Sequence, residues 1–203
     1  INAKIKNLPK AIDISSNWEV EFLEKHHFAS KEDFTSLTDW KDNENEDIKY
    51  YSGTAIYSKT VKLPKLKSGI KTFIDLGEVN IVAEVFVNGK VVDVLWKAPF
   101  IANVSNHVKK GDNVIEVKIT NQWSNRMIGD KNYSGDYLGY QQPSYFPSES
   151  DRMPDWYVKN EPMPEGPRST FNTYKFYSKG DDLMPSGLLG PVKIIFKKEK
   201  VLK

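Results

Sequence analysis

Two tryptophans stand where alternating, strand-like sequence gives way to polar loop: Trp96 ahead of Lys97-Ala98-Pro99, and Trp123 ahead of Ser124-Asn125-Arg126. An indole beside amides, a guanidinium and a carboxylate is a set that can hold a polyol in water. The flat ring covers the C–H face, and the polar groups bond the hydroxyls. Asn125, Arg126 and Asp130 supply those polar groups next to Trp123. The competing reading has both tryptophans capping a core and Arg126 pairing with Asp130 simply to fix a loop. Further along, Tyr133, Tyr137, Tyr140, Tyr145, Trp156 and Tyr157 are interleaved with Asp136, Gln141, Gln142, Asp151 and Asp155. That aromatic set could receive a glycan, cover a neighbouring surface, or pack on itself.

Other chemistries lack their signatures. Asp181-Asp182 and Glu149/Asp151 read as loop charges, with nothing to mark one of them as an acid of raised pKa. His26, His27 and His107 lack the spaced partners of a zinc site. Ser186-Gly187-Leu188-Leu189-Gly190 is no nucleophile elbow, because no glycine stands two residues before the serine. The acidic run Asp42 to Asp47 lacks the glycine and terminal glutamate of a helix-flanked calcium loop and reads as solvated charge. No catalytic residue is assigned.

The elements that must position these side chains are strands. From Ile81 to Asn121, the residues Ile81, Ala83, Val85 and Val87 share one face and Asn88-Gly89 supplies the two positive-φ positions of a tight hairpin. A partner strand follows from Val91. Gly111-Asp112-Asn113 reads as a second turn, after which Ile115, Val117 and Ile119 alternate with polar residues. Upstream, Trp18–Phe22 reads as a first strand after Ile12-Asp13-Ile14. Residues 24–49 read as an exposed, charged excursion pinned by Phe34, Leu37 and Trp40. Ala55, Tyr57, Val61 and Leu63 form one inward face, and Ile70, Thr72, Ile74 and Leu76 another. Phe100, Ala102 and Val104 make a further strand, with Ser105 capping a single helical turn. A long loop is expected over about 123–169, a strand at Phe171, Thr173, Lys175 and Tyr177, and a last strand from Val192 to Phe196. About eight strands without a long amphipathic helix describe an all-β antiparallel sandwich or jelly roll.

The chain has 203 residues, 39% of them hydrophobic and 28% charged, which is ordinary for a globular protein and is read as a single domain over 1–203. Lys+Arg 29 against Asp+Glu 27 leaves a net charge of +2 with the basic residues scattered, which argues against nucleic acid as a partner. No apolar run is long enough to span a bilayer. Without cysteine, stability must come from the core alone. The chain starts at Ile1 without a charged-then-apolar leader, so either a signal peptide has been removed or the chain is a piece of something larger, and it is read as an excised domain.

The block Ile48-Lys49-Tyr50-Tyr51-Ser52-Gly53-Thr54-Ala55, with the VNG, LWKAPF, KKGDN and ITNQWSNRMIGD segments and the closing SGLLGPV stretch, resembles a galactose-binding-like jelly roll of bacterial glycoside hydrolases. The likeness is greatest to the C-terminal β-sandwich of large α-L-rhamnosidase-type enzymes, itself similar to the sugar-binding domain of the β-galactosidase family. It runs from about Ile12 to Phe196. It implies a non-catalytic accessory domain of a secreted, periplasmic or extracellular bacterial enzyme, with carbohydrate and the catalytic domain of the same polypeptide as its partners. The resemblance also admits a structural calcium. On that reading Trp96, Trp123, Asn125, Arg126, Asp130, Tyr137 and Trp156 are the candidate carbohydrate contacts; the alternative is a structural brace for the catalytic barrel that binds no sugar.

Overall fold

The computed structural model describes residues 8–25, 28–133, 155–164, 166, 168–170 and 176–198. Among them, twelve strands and three short helices follow in chain order. The strands are β1 (Ile12–Asp13), β2 (Ser16–Lys25), β3 (Phe28–Ser36), β4 (Thr54–Leu63), β5 (Ile70–Asp75), β6 (Glu78–Asn80), β7 (Val82–Val87), β8 (Lys90–Leu95), β9 (Ile101–Asn103), β10 (Gly111–Thr120), β11 (Gly187–Gly190) and β12 (Lys193–Lys198). The helices are α1 (Glu46–Lys49), α2 (Ser124–Gly129) and α3 (Asp155–Val158).

The strands form a six-stranded antiparallel sheet ordered β3-β2-β4-β10-β7-β8, a four-stranded sheet ordered β1-β12-β5-β9, and the pair β11-β6. Alternation decides which side chains face inward, since successive residues of a strand point to opposite faces. Trp18, Val20, Phe22, Ala55, Tyr57, Val85, Val117 and Ile119 from the large sheet join Ile74, Ala102, Ile194 and Phe196 from the smaller one in a single buried cluster. This is an antiparallel β-sandwich with a jelly-roll strand order. Phe22 sits amid an aromatic group, 5.0 Å from the Tyr51 ring and 5.3 Å from that of Trp40, both edge-on.

The hairpin at Asn88-Gly89 forms as the sequence predicts, with φ of 52° and 74°, and it joins β7 to β8. The Asn88 side chain does more than permit the turn. Its Oδ1 accepts from Val114 N (3.1 Å), and its Nδ2 donates to His107 O (2.8 Å) and Asn113 Oδ1 (3.1 Å).

The structure corrects several expectations. Residues 28–36 are the edge strand β3, not an excursion: Phe34 faces inward from it, and its charged residues decorate an edge that pairs on one side only. Trp40 is fully buried and pins the following turn as expected. Gly111-Asp112-Asn113 opens β10 and is no turn; Asn113 is buried and closes the preceding loop by bonding Lys109 and Gly111 carbonyls. Ser105 caps no helix, and its hydroxyl accepts from Thr72 N instead. Ile81 lies outside β7 and is 38% exposed, while Ala83, Val85 and Val87 are fully buried. The stretch expected as a loop from Trp123 begins with α2 and a 3-10 turn at Asp130–Asn132. Phe171, Thr173 and Lys175 lie outside the described residues, and Tyr177 is in no strand.

Candidate functional site

Strand register places the two tryptophans together. Leu95, Ala83, Ile119, Ala55 and Phe22 stand in one row across β8, β7, β10, β4 and β2. The chain that continues past this row therefore leaves the sheet at one end, and Trp96, Ile81, Asn121 and Gly53 all belong to that rim. Trp96 and the segment leading to Trp123 depart from strands two spacings apart, about 10 Å. Both indoles are open to solvent, Trp96 at 67% and Trp123 at 46%. The expectation that they cap the core is thereby corrected, because neither ring belongs to the buried cluster. Lys97 Nζ lies 5.0 Å from the Trp96 ring centre, which leaves a cation beside the plate.

Beneath Trp123, short-range sequence signals and long-range contacts combine to hold α2 rigidly. Asn125 Nδ2 donates to Met184 O (2.7 Å) and Ser186 Oγ (3.1 Å), and its Oδ1 accepts from Met184 N (2.8 Å). Asn121 Nδ2 donates to Tyr51 O (2.8 Å) and Ser186 Oγ (3.2 Å), while its Oδ1 accepts from Gly53 N (2.9 Å). Ser52 Oγ donates to Gln122 O and accepts from Arg126 N. Ser186 N in turn donates to Asp39 Oδ1 at 2.9 Å. This network ties α2, β11 and the Tyr51–Gly53 turn into one rim. Asn121, Ser52, Asp39 and Ser186 are the members that sequence reasoning missed; the only signal was a polar residue at each strand end.

Arg126 and Asp130 are paired, as one of the two sequence readings holds. Arg126 Nη2 lies 2.8 Å from Asp130 Oδ1, one helical turn away, and the Asp130 side chain is wholly buried. Asp130 Oδ2 also accepts from Ser169 N (3.0 Å), Thr170 N (2.6 Å) and Thr170 Oγ1 (2.6 Å). A buried carboxylate is tolerable only with such partners. The Arg126 guanidinium also stacks 5.8 Å from the Tyr50 ring centre. Gly129 permits that approach, since a β-carbon there would sit 2.5 Å from Tyr50 Cγ.

Trp156 lies on α3, edge-on to Tyr157 with ring centres 5.9 Å apart. Tyr137 lies outside the described residues. The structure thus brings Trp96, Trp123, Asn125, Arg126 and Asp130 to one end, but the three polar residues face inward from it. Among the described residues no group of three or more His, Asp or Glu side chains converges to hold a cation. Within the run from Asp42 to Asp47, Asn45 caps α1 and Asp42 pairs with Lys41.

Two phenols reinforce the rim and core. Tyr51 is held between the carbonyls of Leu23 (2.7 Å) and Thr54 (2.9 Å), and burial pushes it up to about 12. Tyr57 accepts from Trp40 Nε1 at 2.7 Å and from Leu188 N at 3.3 Å, and complete burial raises its pKa further still.

The family model described as glycosyl hydrolases family 2, sugar binding domain, matches residues 5–134. The chain belongs to this family. The chain is 44% identical, over 98% of its length, to a Formosa agariphila protein provisionally named a β-glucuronidase. It is 34% identical over 58% of its length to a second Formosa agariphila protein, named a β-glucuronidase. The domain spans only 17% and 12% of those two relatives. Among solved structures, a rhamnosidase from Novosphingobium sp. PP1Y superposes on 97% of the domain with a TM-score of 0.72 and 26% identity, and the match takes up 16% of that chain. The likeness to rhamnosidase-type sandwiches read from the sequence is thus supported.

Proposed function

We propose that this domain is a non-catalytic part of a larger bacterial glycoside hydrolase and uses its tryptophan rim to contact carbohydrate or to wall the cleft of a catalytic domain in the same polypeptide. The carrying observation is that Trp96 and Trp123, 67% and 46% exposed, leave the same end of a sheet whose rim is locked by buried hydrogen bonds. Exposed indoles held on a rigid support are suited to stacking on sugar rings. The names of the two Formosa agariphila relatives favour a uronate-bearing glycan, and Lys97 beside Trp96 supplies a charge opposite to that of a uronate. The whole chain, 1–203, acts as one unit on this reading, and the parent enzyme works in the periplasm or outside the cell, where polymeric glycans are met.

Calorimetric titration with uronate-, rhamnose- and galactose-containing oligosaccharides tests the proposal. Heat of binding is expected with at least one of them, weakened about tenfold or more by Trp96→Ala or Trp123→Ala. A second reading, a brace that binds no sugar, draws on the inward commitment of Asn125, Arg126 and Asp130. Absence of heat with every sugar would favour the brace.

A further inference from the structure

At the far end of the six-stranded sheet from the tryptophans, a groove of about 640 Å³ opens between β2, β3 and β4. Its origin is local. The β2–β4 ladder runs from Phe22/Ala55 to Glu19/Ser58 and then stops, because Asn17, at a φ of 55°, turns β2 away, while β4 continues to Leu63 alongside β10. Lys59 bridges the split, its ammonium donating to the carbonyls of Ser16 and Asn17 and lying 5.8 Å from the Trp18 ring centre. Its ammonium is thereby held in place by backbone carbonyls while it keeps its charge.

What remains facing the groove are Asn17, Glu19, Asp33, Thr35, Ser58 and Thr60. Glu19 and Asp33 are direct cross-strand neighbours, a like-charge placement that costs stability. Lys31 relieves it little, lying 3.2 Å from Glu21 but 4.0 Å from Glu19. The side chains of Asn17, Asp33, Thr35, Ser58 and Thr60 make no hydrogen bond or ion pair with the described residues. Two carboxylates with spare acceptor capacity, an amide and three hydroxyls, set in a trough on the outer face of the sheet, form a lining that donates to and accepts from vicinal hydroxyls. Glu19 and Asp33 outnumber the one ammonium of the lining, Lys59, so the groove is net negative and disfavours uronates.

We infer that this groove is a second carbohydrate site, which takes a neutral oligosaccharide segment. It does not depend on the tryptophan rim: Thr54 and Thr60 are six residues apart on β4, about 20 Å at roughly 3.3 Å per residue.

The test is titration of the full chain with cellohexaose, xylohexaose and mannohexaose, followed by amide NMR and calorimetry, with hexagalacturonate and tetralysine as contrasts. At least one neutral hexamer is expected to shift the amides of Thr35, Ser58 and Thr60, and hexagalacturonate to bind about tenfold more weakly or worse. Asp33→Asn should weaken the neutral hexamer about tenfold while holding or raising the unfolding midpoint, because it removes the repulsion with Glu19. Ser58→Trp should abolish binding by filling the trough, and Trp96→Ala should leave it unchanged. The proposal is overturned if no neutral hexamer shifts those amides, if tetralysine is preferred, or if Asp33→Asn binds as well as the parent chain.

Discussion

Asp130 shows what a single residue contributes at the rim. Its Oδ2 accepts from Ser169 and Thr170 while its Oδ1 stands 2.8 Å from the Arg126 guanidinium, so Asp130→Asn leaves a guanidinium buried without its counter-charge. The expected loss is about 3–5 kcal/mol, the usual result of breaking a buried ion pair, and urea unfolding would measure it. Tyr51 gives a pH dependence of definite sign. Its folded pKa, about 12, stands above the ordinary phenol value of 10.0, so between those values the unfolded chain gives up a proton that the folded chain keeps. Stability is full below pH 10 and falls as pH rises towards 12. Tyr51→Phe should lower stability at neutral pH and flatten this alkaline decline, as unfolding midpoints recorded from pH 8 to 12 would reveal. Little of this was legible in the sequence beyond the Arg126–Asp130 spacing, since Ser186 lies 61 residues from Asn125 and 147 from Asp39. Pairings across such distances leave no periodic trace.

The elements were read best where one face is apolar and the other polar. β4, β5, β7 and β10 alternate over most of their length, and the inward positions of Ala55, Tyr57, Ile74, Ala83, Val85, Val87, Ile115, Val117 and Ile119 are legible in the sequence. β3 escaped because an edge strand with Lys31, Glu32 and Asp33 in succession has the composition of a loop, and because only Phe34 is fully inward. Gly111-Asp112-Asn113 carried turn residues for a different purpose: the glycine holds a φ of 90° at the strand's start, and the Asn113 amide closes the loop behind it. The hairpin between β7 and β8 offers a test at this scale. Gly89→Ala places a β-carbon at a φ of 74° with open space around it, so only backbone strain is added, about 1–2 kcal/mol. Asn88→Ala strains the same turn and also removes its side-chain bonds to β10 and to the loop at His107. It should cost more than Gly89→Ala in the same denaturant titration, and an equal cost would show that the bonds to β10 contribute nothing.

For the whole molecule, the tryptophans of the core and those of the proposed recognition rim are different residues. Trp18 and Trp40 are fully buried, whereas Trp96 and Trp123 stand outside the core. Trp18→Ala is expected to cost about 3–5 kcal/mol, while Trp96→Ala leaves the stability within about 0.5 kcal/mol; thermal melts of the two variants should diverge accordingly. The sandwich class followed from alternation and turn spacing, but the common rim of Trp96 and Trp123 did not, because strand order is set by pairing across the sheet. The charged succession along β3 also governs how copies of the chain meet. Among the described residues that strand pairs with β2 on one side only, which leaves its other side a row of backbone donors and acceptors. A second copy laid against it would bring its own Lys31 and Asp33 into the seam and have to strip them of water, which blocks sideways stitching into ribbons. Replacing both with threonine should turn a monodisperse solution into one that scatters light.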